Sequence, residues 1–384
     1  MKYRNHTLPL LAMTAGALFP SLAAGAPLIS IGDHIDVFFE GSAGIQYNTN
    51  VFNDPSNEEE DLAFIFSPGL EVSLGRNASG NITLRYFEEI VRYSDLDNID
   101  RNNSNVFLDG SYETARSSFT LSASWQEVTQ NTSDVNLQGV LVDREIGQVF
   151  GGGEYEITPK TSVRGGIRFI DTQFDDETQL FNDRQSVTVP VTFFYEYSQK
   201  LDVGLGYRYR NTDIDADLAG NGEDTRDDHF FNVTFRGELL PKLDGEASLG
   251  WQFRDSDNSG SEDSFAADVG LTYAYSEKLS LFLELARDFE SGGNANSIEE
   301  TSAFLQATYI ITPRIQAGAS VDYSLADYQS GREDDIYSGG LNLGYTYNEY
   351  LRFSGGYIYQ NVDSNLNAAE FEGHQFSLTA TLRY

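Results

Sequence analysis

The feature that most constrains this chain is a strict alternation of apolar and polar residues, sustained over stretches of about ten residues and repeated along its length. Residues 187–197 (VTVPVTFFYEY) put Val187, Val189, Val191, Phe193, Tyr195 and Tyr197 on one face. Residues 201–209 (LDVGLGYRY) do the same with Leu201, Val203, Leu205, Tyr207 and Tyr209. The pattern returns at 243–253, 279–285, 315–323, 341–347 and 351–359. An extended strand points successive side chains to opposite faces, so each stretch is a strand with one apolar and one polar side. A soluble sandwich alternates too, but its strands usually run about five or six residues. Here they run about 10 to 14, and the opposite face carries Gly, Ser, Thr, Asp and Arg. Tyr and Phe collect near the stripe ends, as at Tyr195/Tyr197, Tyr273/Tyr275 and Tyr345/Tyr347, where amphipathic rings settle at a membrane–water interface.

The connections repeat as well. Short turns sit at 158–161 (TPKT), 198–201 (SQKL), 240–243 (LPKL), 276–279 (SEKL), 312–315 (TPRI) and 348–351 (NEYL). The period of about 36 to 42 residues equals two membrane strands, a tight turn and a longer loop. Further strands are expected near 35–48, 61–75, 80–94, 103–114, 117–129, 143–157 and 161–174. The rhythm predicts an all-β fold: a transmembrane antiparallel up-and-down β-barrel of about 18 strands, with 16 as the alternative count. Short turns lie at the periplasmic end and long acidic loops outside. Glu88 and Glu89 after Tyr86-Phe87 break the alternation and predict a bulge. Pro190 removes a ladder donor inside its strand.

The composition fits this reading. Aromatics are 13% of the chain, Gly numbers 35 and Pro 9, which marks a strand- and turn-rich protein. Cysteine is absent, which excludes disulfides and thiolate metal sites. Lys2 and Arg4, the apolar stretch 8–22 and the small residues of 21–26 (SLAAGA) form an export signal, read as residues 1–23. A short periplasmic segment, 24–34, then precedes the barrel, 35–384. Export and a barrel together place the chain in the outer membrane of a Gram-negative bacterium.

The chain stops on a strand. In 376–384 (FSLTATLRY), Phe376, Leu378, Leu382 and Tyr384 fall on the apolar face. Inside lipid every backbone N–H and C=O must be paired, so the last strand must meet the first. These four residues also look like the signal read by the outer-membrane insertion machinery, which is an expected partner along with outer-membrane lipid and lipopolysaccharide.

The stretch 44–54 (GIQYNTNVFND) followed by 67–75 (SPGLEVSLG) resembles the start of an outer-membrane β-barrel porin family. Its members share a Tyr/Asn-rich first strand, a PGL second strand and TPK-type turns. The resemblance implies a large barrel, and it adds association with exopolysaccharide export components. Its motifs are structural, and no functional residues carry over.

The net charge of −34 is concentrated in the long loops, such as 53–61, 171–184, 211–228, 254–263 and 287–300. One rim is therefore an acidic collar, while the other carries Lys160, Lys200, Lys242 and Lys278. Such a collar attracts cations and repels anions and nucleic acid. It also offers oxygen ligands for Ca²⁺ or Mg²⁺. Asp213, Asp215 and Asp217 begin like a calcium loop, but Leu218 stands where an EF-hand has Gly, and Asp224 where it has Glu. No other cofactor is expected.

Alternation turns Arg164, Arg168, Arg208, Arg210 and Arg236 inward on neighbouring strands, and Glu246, Asp268, Glu284 and Asp322 inward on later ones. These are the candidate pore-lining residues. They form either opposed charged walls that orient solutes or ion pairs that stiffen the wall. Nothing points to catalysis, because His34, His229 and His374 lie in no triad or metal spacing. The expected function is an outer-membrane channel for small solutes or a secreted polysaccharide. The alternative is a non-conducting structural or adhesive barrel.

Overall fold

A computed structural model describes residues 26–384 except 33, 76–77, 132–140, 176–180, 217–221, 259 and 294. The predicted export signal, residues 1–23, lies outside the described residues. A short strand, β1 (Ile29–Ile31), precedes eighteen long ones. The first nine of these are β2 (Ile35–Asn48), β3 (Asp61–Leu74), β4 (Gly80–Tyr93), β5 (Arg101–Glu113), β6 (Ser117–Asn131), β7 (Leu141–Thr158), β8 (Thr161–Asp175), β9 (Arg184–Ser198) and β10 (Leu201–Ile214). The others are β11 (Asp224–Leu240), β12 (Leu243–Ser256), β13 (Gly260–Tyr273), β14 (Leu279–Ser291), β15 (Ser297–Thr312), β16 (Ile315–Tyr328), β17 (Glu333–Thr346), β18 (Leu351–Ser364) and β19 (Phe371–Arg383).

Each strand from β2 to β19 pairs antiparallel with the next, and β19 pairs with β2 from Gln375↔Asn48 to Arg383↔Glu40. The Tyr384 backbone extends the seam by exchanging hydrogen bonds with Phe39, at 2.6 and 2.9 Å. The sheet is a closed antiparallel barrel of eighteen strands. Below the seam, β1 pairs with the start of β2, from Ile29↔Val37 to Ile31↔Ile35.

The apolar stripes face out. Phe64, Phe66, Ile167, Leu205, Leu249, Val321, Leu341 and Leu378 are exposed on the outer wall, where lipid covers them. Inside, buried apolar side chains are scattered, as at Phe38, Phe194 and Phe289, or gathered in small clusters such as Val142 with Phe181 and Ile298 with Ala326 and Tyr328.

Four of the six short turns share one local device: their first residue accepts hydrogen bonds from the backbone N–H groups two and three positions on. Ser198 does so for Lys200 and Leu201 (3.3 and 3.1 Å), Ser276 for Lys278 and Leu279, Thr312 for Arg314 and Ile315, and Asn348 for Tyr350 and Leu351. This is why Ser, Thr and Asn hold that place.

The bulge expected at Glu88 and Glu89 is absent, because the registers of β3–β4 and β4–β5 are both constant. The β3–β4 ladder instead skips Ser67 and Pro68 opposite these glutamates, since Pro68 has no N–H to give. Pro190 acts in the same way. Its row is missing between β8 and β9 but present between β9 and β10.

One ladder is short. The β12–β13 ladder runs up to Ser256↔Gly260 and the β14–β15 ladder up to Ser291↔Ser297, but β13–β14 stops at Ala267↔Arg287. Above that row β14 leaves the wall.

Candidate functional site

The upper part of the β14–β15 hairpin folds into the lumen and lies on the inner face of β9 to β12. Inward positions on β10, β11 and β12 are the even ones, and there they carry Arg208, Arg210, Arg226, Asp228 and Arg254. Arg254 donates to Asp228 at 2.6 and 2.8 Å, to the Glu290 carbonyl at 2.9 Å and to Ser297 Oγ at 2.9 Å. Its guanidinium lies 4.8 Å from the centre of the Phe289 ring, a cation–π distance. Arg210 donates to Asp228 at 2.7 Å and to the Phe289 carbonyl at 2.5 Å, while Arg208 pairs with Asp288 at 2.7 Å. Arg226 holds Asp224 at 2.6 Å and Ser291 Oγ at 2.8 Å, and it also donates to the Ala295 carbonyl. Arg184, at the start of β9, donates to the Ser291 carbonyl at 2.5 Å. At the tip, the Asn182 N–H reaches the Gly293 carbonyl at 2.7 Å. Arg226, Arg254 and Phe289 are each only 1% exposed.

These charges belong to strands, which corrects the expectation that 211–228, 254–263 and 287–300 are wholly loop. β10 continues to Ile214, β11 begins at Asp224, β12 ends at Ser256 and β14 reaches Ser291. Part of the presumed outer collar is therefore an inner ion-pair network. Of its members, Arg184, Arg226, Arg254 and Asp288 were not singled out from sequence, and Asp228 stood there as a charge of the outer collar. The cue that would find them is the same alternation, carried past the last apolar residue of each stripe.

Toward the periplasm a second cluster occupies the same side. Arg164 on β8 grips Glu246 on β12 (2.8 and 2.5 Å). Arg236 on β11 grips Glu154 on β7 (2.7 and 3.0 Å) and Asp202 on β10 (2.8 Å). Both guanidiniums stack on Phe194, at 4.8 and 3.9 Å from the ring centre. The Arg164–Glu246 and Arg236–Glu154 pairs each span four inter-strand steps, about 19 Å of sheet at ordinary strand spacing. The wall between β7 and β12 is therefore curled tightly inward. Arg168 faces the lumen beside Phe150, within electrostatic range of Arg208 and Asp268.

The acidic candidates Asp268, Glu284 and Asp322 face the lumen on β13, β14 and β16. Below and beside them, Phe282 and Phe304 meet edge to face at 6.3 Å. Glu246 is set apart from these three by its bond to Arg164. Thus the structure puts the arginines on one side, engaged with carboxylates, and the three acids on the adjoining wall.

Of the calcium candidates, Asp213 and Asp215 border one pocket together with Glu223 and Asp224. Asp213 lies on β10 opposite Thr225, and the Asp215 N–H bonds the Asp183 carbonyl. Asp217 lies outside the described residues. Asp224 is engaged by Arg226 and Ser256. Among the described residues no three metal-ligating side chains cluster.

At the outer girdle, aromatic rings donate to acidic residues of the rim. Tyr47 bonds Glu60 (2.5 Å), Tyr209 bonds Asp227 (2.5 Å), Trp251 bonds Asp263 (2.9 Å) and Tyr323 bonds Asp335 (2.6 Å). These four carboxylates thereby sit at the level of the aromatic girdle. On the terminal strand, Phe376, Leu378, Leu382 and Tyr384 are exposed on the outer wall, and Tyr384 stacks on Tyr350 at 5.4 Å. Arg383 points inward between them, bonding Glu71 at 2.7 Å and Glu40 at 2.7 Å over the Phe38 ring.

Residues 31–384 match the family described as "Putative beta-barrel porin 2". The chain belongs to this family of outer-membrane barrel porins. No curated relative matches it. The barrel is similar to the outer membrane protein OpdK from Pseudomonas aeruginosa, at 13% identity and TM-score 0.47, covering 91% of this chain and 99% of that one. OccK2 (OpdF) from the same organism, solved in complex with glucuronate, gives 13% identity, TM-score 0.49 and coverage of 91% and 98%. The siderophore receptor PiuA from Acinetobacter baumannii gives 9% identity, TM-score 0.49 and coverage of 91% and 82%.

Proposed function

We propose that this porin is a passive outer-membrane channel for small polar solutes, with a preference for cationic or neutral ones. The observation that carries the reading is the content of the barrel: eighteen strands enclose more space than their own side chains fill, and the inward face is charged and polar. The in-folded hairpin and the Arg164–Arg236 cluster narrow one side. That favours solutes over a polysaccharide chain. Arg164, Arg208 and Arg236 are engaged by carboxylates, and Asp268, Glu284 and Asp322 line the adjoining wall. The net charge of −34, concentrated toward the outer rim, makes the field at the mouth of the route negative.

Purified protein in a planar bilayer should give discrete conductance steps, with a reversal potential displaced toward the cation equilibrium value in a salt gradient. A folded barrel that passes no current would instead support the structural or adhesive role.

A further inference from the structure

We propose that the upper β14–β15 hairpin is a gate with two seats: the lumenal one described above, and a wall position in which β14 zips onto the free edge of β13. The ladder geometry carries the idea. Among the described residues, no strand pairs with the β14-facing edge of Gly260–Ala266, although β12 pairs with the other edge throughout. The β13–β14 register, from Tyr273↔Leu281 to Ala267↔Arg287, has no shift. Continued upward it sets Phe265 opposite Phe289 and Ser264 opposite Glu290. Phe265 itself is paired with Trp251, and Trp251 with Phe231, all three exposed on the outer wall. The wall seat would thus add Phe289 to an aromatic row that now ends at Phe265. β14 carries Leu281, Leu283 and Leu285 on its lipid-facing side, then Arg287, and then this ring, which is now buried inside instead.

The bonding also exchanges evenly. The Gly292 N–H bonds the Asn296 carbonyl, so even positions of β14 pair with β15 and odd ones turn to the β13 side. On that side the Phe289 and Ser291 carbonyls accept from Arg210 and Arg184, side-chain donors in place of a strand. Zipping returns those carbonyls to backbone N–H groups of β13 and releases the arginines to carboxylates already beside them, such as Asp228 for Arg210. Neither seat leaves the hairpin edge without donors. β15 keeps its ladder with β16 up to Ile298↔Tyr328 in both.

The gating role rests on the channel reading, but the two seats do not, and cysteine pairs separate them. The chain has no native cysteine. In the lumenal seat a Cβ on Gly293 would lie 2.6 Å from the Phe181 ring, so the F181C/G293C pair should oxidise readily. Phe265 and Phe289 lie on opposite faces of the wall in that seat, and only zipping brings F265C and F289C to disulfide distance. S264C/E290C is a second pair for the same seat, should F289C impair folding. In bilayers under mild oxidation, both classes of cross-link should form and revert with reductant. The F265C/F289C channel should conduct about twofold or more above the F181C/G293C channel. If neither wall pair cross-links while F181C/G293C does, the hairpin is fixed and the proposal fails. If both seats cross-link with equal conductance, the hairpin moves but does not gate. If both seats cross-link and no variant conducts, the channel reading fails and the two seats stand.

Discussion

Asp228→Asn is the substitution that should distinguish a pinned hairpin from a merely crowded lumen. One carboxylate, buried under the hairpin, accepts from Arg210 at 2.7 Å and from Arg254 at 2.6 and 2.8 Å. Those two arginines in turn hold the carbonyls of Phe289 and Glu290. Removing one partner of a buried ion pair typically costs about 3–5 kcal/mol, because the charge left behind is uncompensated. Arg210 keeps Asp288 within 3.4 Å, so the lower end, about 3 kcal/mol, is the better figure here. At about 1.4 kcal/mol per tenfold, that is roughly a hundredfold larger population with the hairpin released. Hydrogen exchange reads this directly. Amides of residues 288–291 and 297–300 should exchange about a hundredfold faster, while those of β2 to β6 stay unchanged. Asp109→Asn is the control, since its pair with Arg85 is 3.7 Å long and largely exposed, worth under about 1 kcal/mol. Unchanged exchange in the hairpin would refute the keystone role of Asp228. Equal acceleration throughout β10 to β13 would refute it differently, by showing that the carboxylate supports the wall rather than the hairpin.

Arg383→Ala should lower the unfolding temperature of the assembled barrel and slow its closure, because Glu40 and Glu71 lose their shared cation at the β19–β2 seam; heat-dependent mobility on gels measures both. Deleting residues 376–384 should leave the protein in the periplasm, degraded or aggregated, and normal membrane yield would sink the insertion-signal role of Phe376, Leu378, Leu382 and Tyr384. Neutralising Asp268, Glu284 and Asp322 together should weaken cation preference at both low and high salt, whereas neutralising rim residues Asp213 and Asp227 should matter only at low salt, since exposed charges are screened over about 8 to 10 Å. Arg208→Gln should increase cation preference by removing one of the two cations beside Asp288, and an unchanged reversal potential would exclude both groups from the solute path.

The wall was legible in the sequence because lipid enforces it. A side chain on the outer face of residues 201–209 has no alternative to an apolar stripe, and the turn after residue 197 has few alternatives to Ser, Thr or Asn at its start. Strand number, direction and the β19–β2 closure follow from those local rules. The lumen obeys no comparable rule, because water tolerates any polar residue, and alternation says only which residues face it. Arg164, Arg208, Arg210 and Arg236 were read as inward on that basis, but their partners lie on strands four steps away in space for Arg164 and Arg208, and no spacing in sequence encodes such a chord. The charges of 224–228 and 254 were hidden by a different cause. Beyond the last aromatic of each stripe the outer face enters the polar rim, so apolar residues vanish from both faces and a strand looks like a loop.

The departure of β14 from the wall shows how far that ambiguity extends. Up to Leu285 the strand is written as lipid-facing wall, and Arg287 at the next outward position marks the approach to the polar rim and not an inward bend. What turns it is the surroundings: Arg184, Arg210, Arg226 and Arg254 converge on the carbonyls and hydroxyls of 289–297, more donors than the neighbouring carboxylates Asp224 and Asp228 occupy. A guanidinium presents five N–H groups, and a buried one must place them. Two carboxylates cannot satisfy four such forks, and the backbone edge of a strand is the densest supply of acceptors within reach. Four arginines against two carboxylates at the upper inner face of β9 to β12 therefore draw in the neighbouring hairpin, and the β13–β14 ladder, which ends at Ala267↔Arg287, is the one that yields.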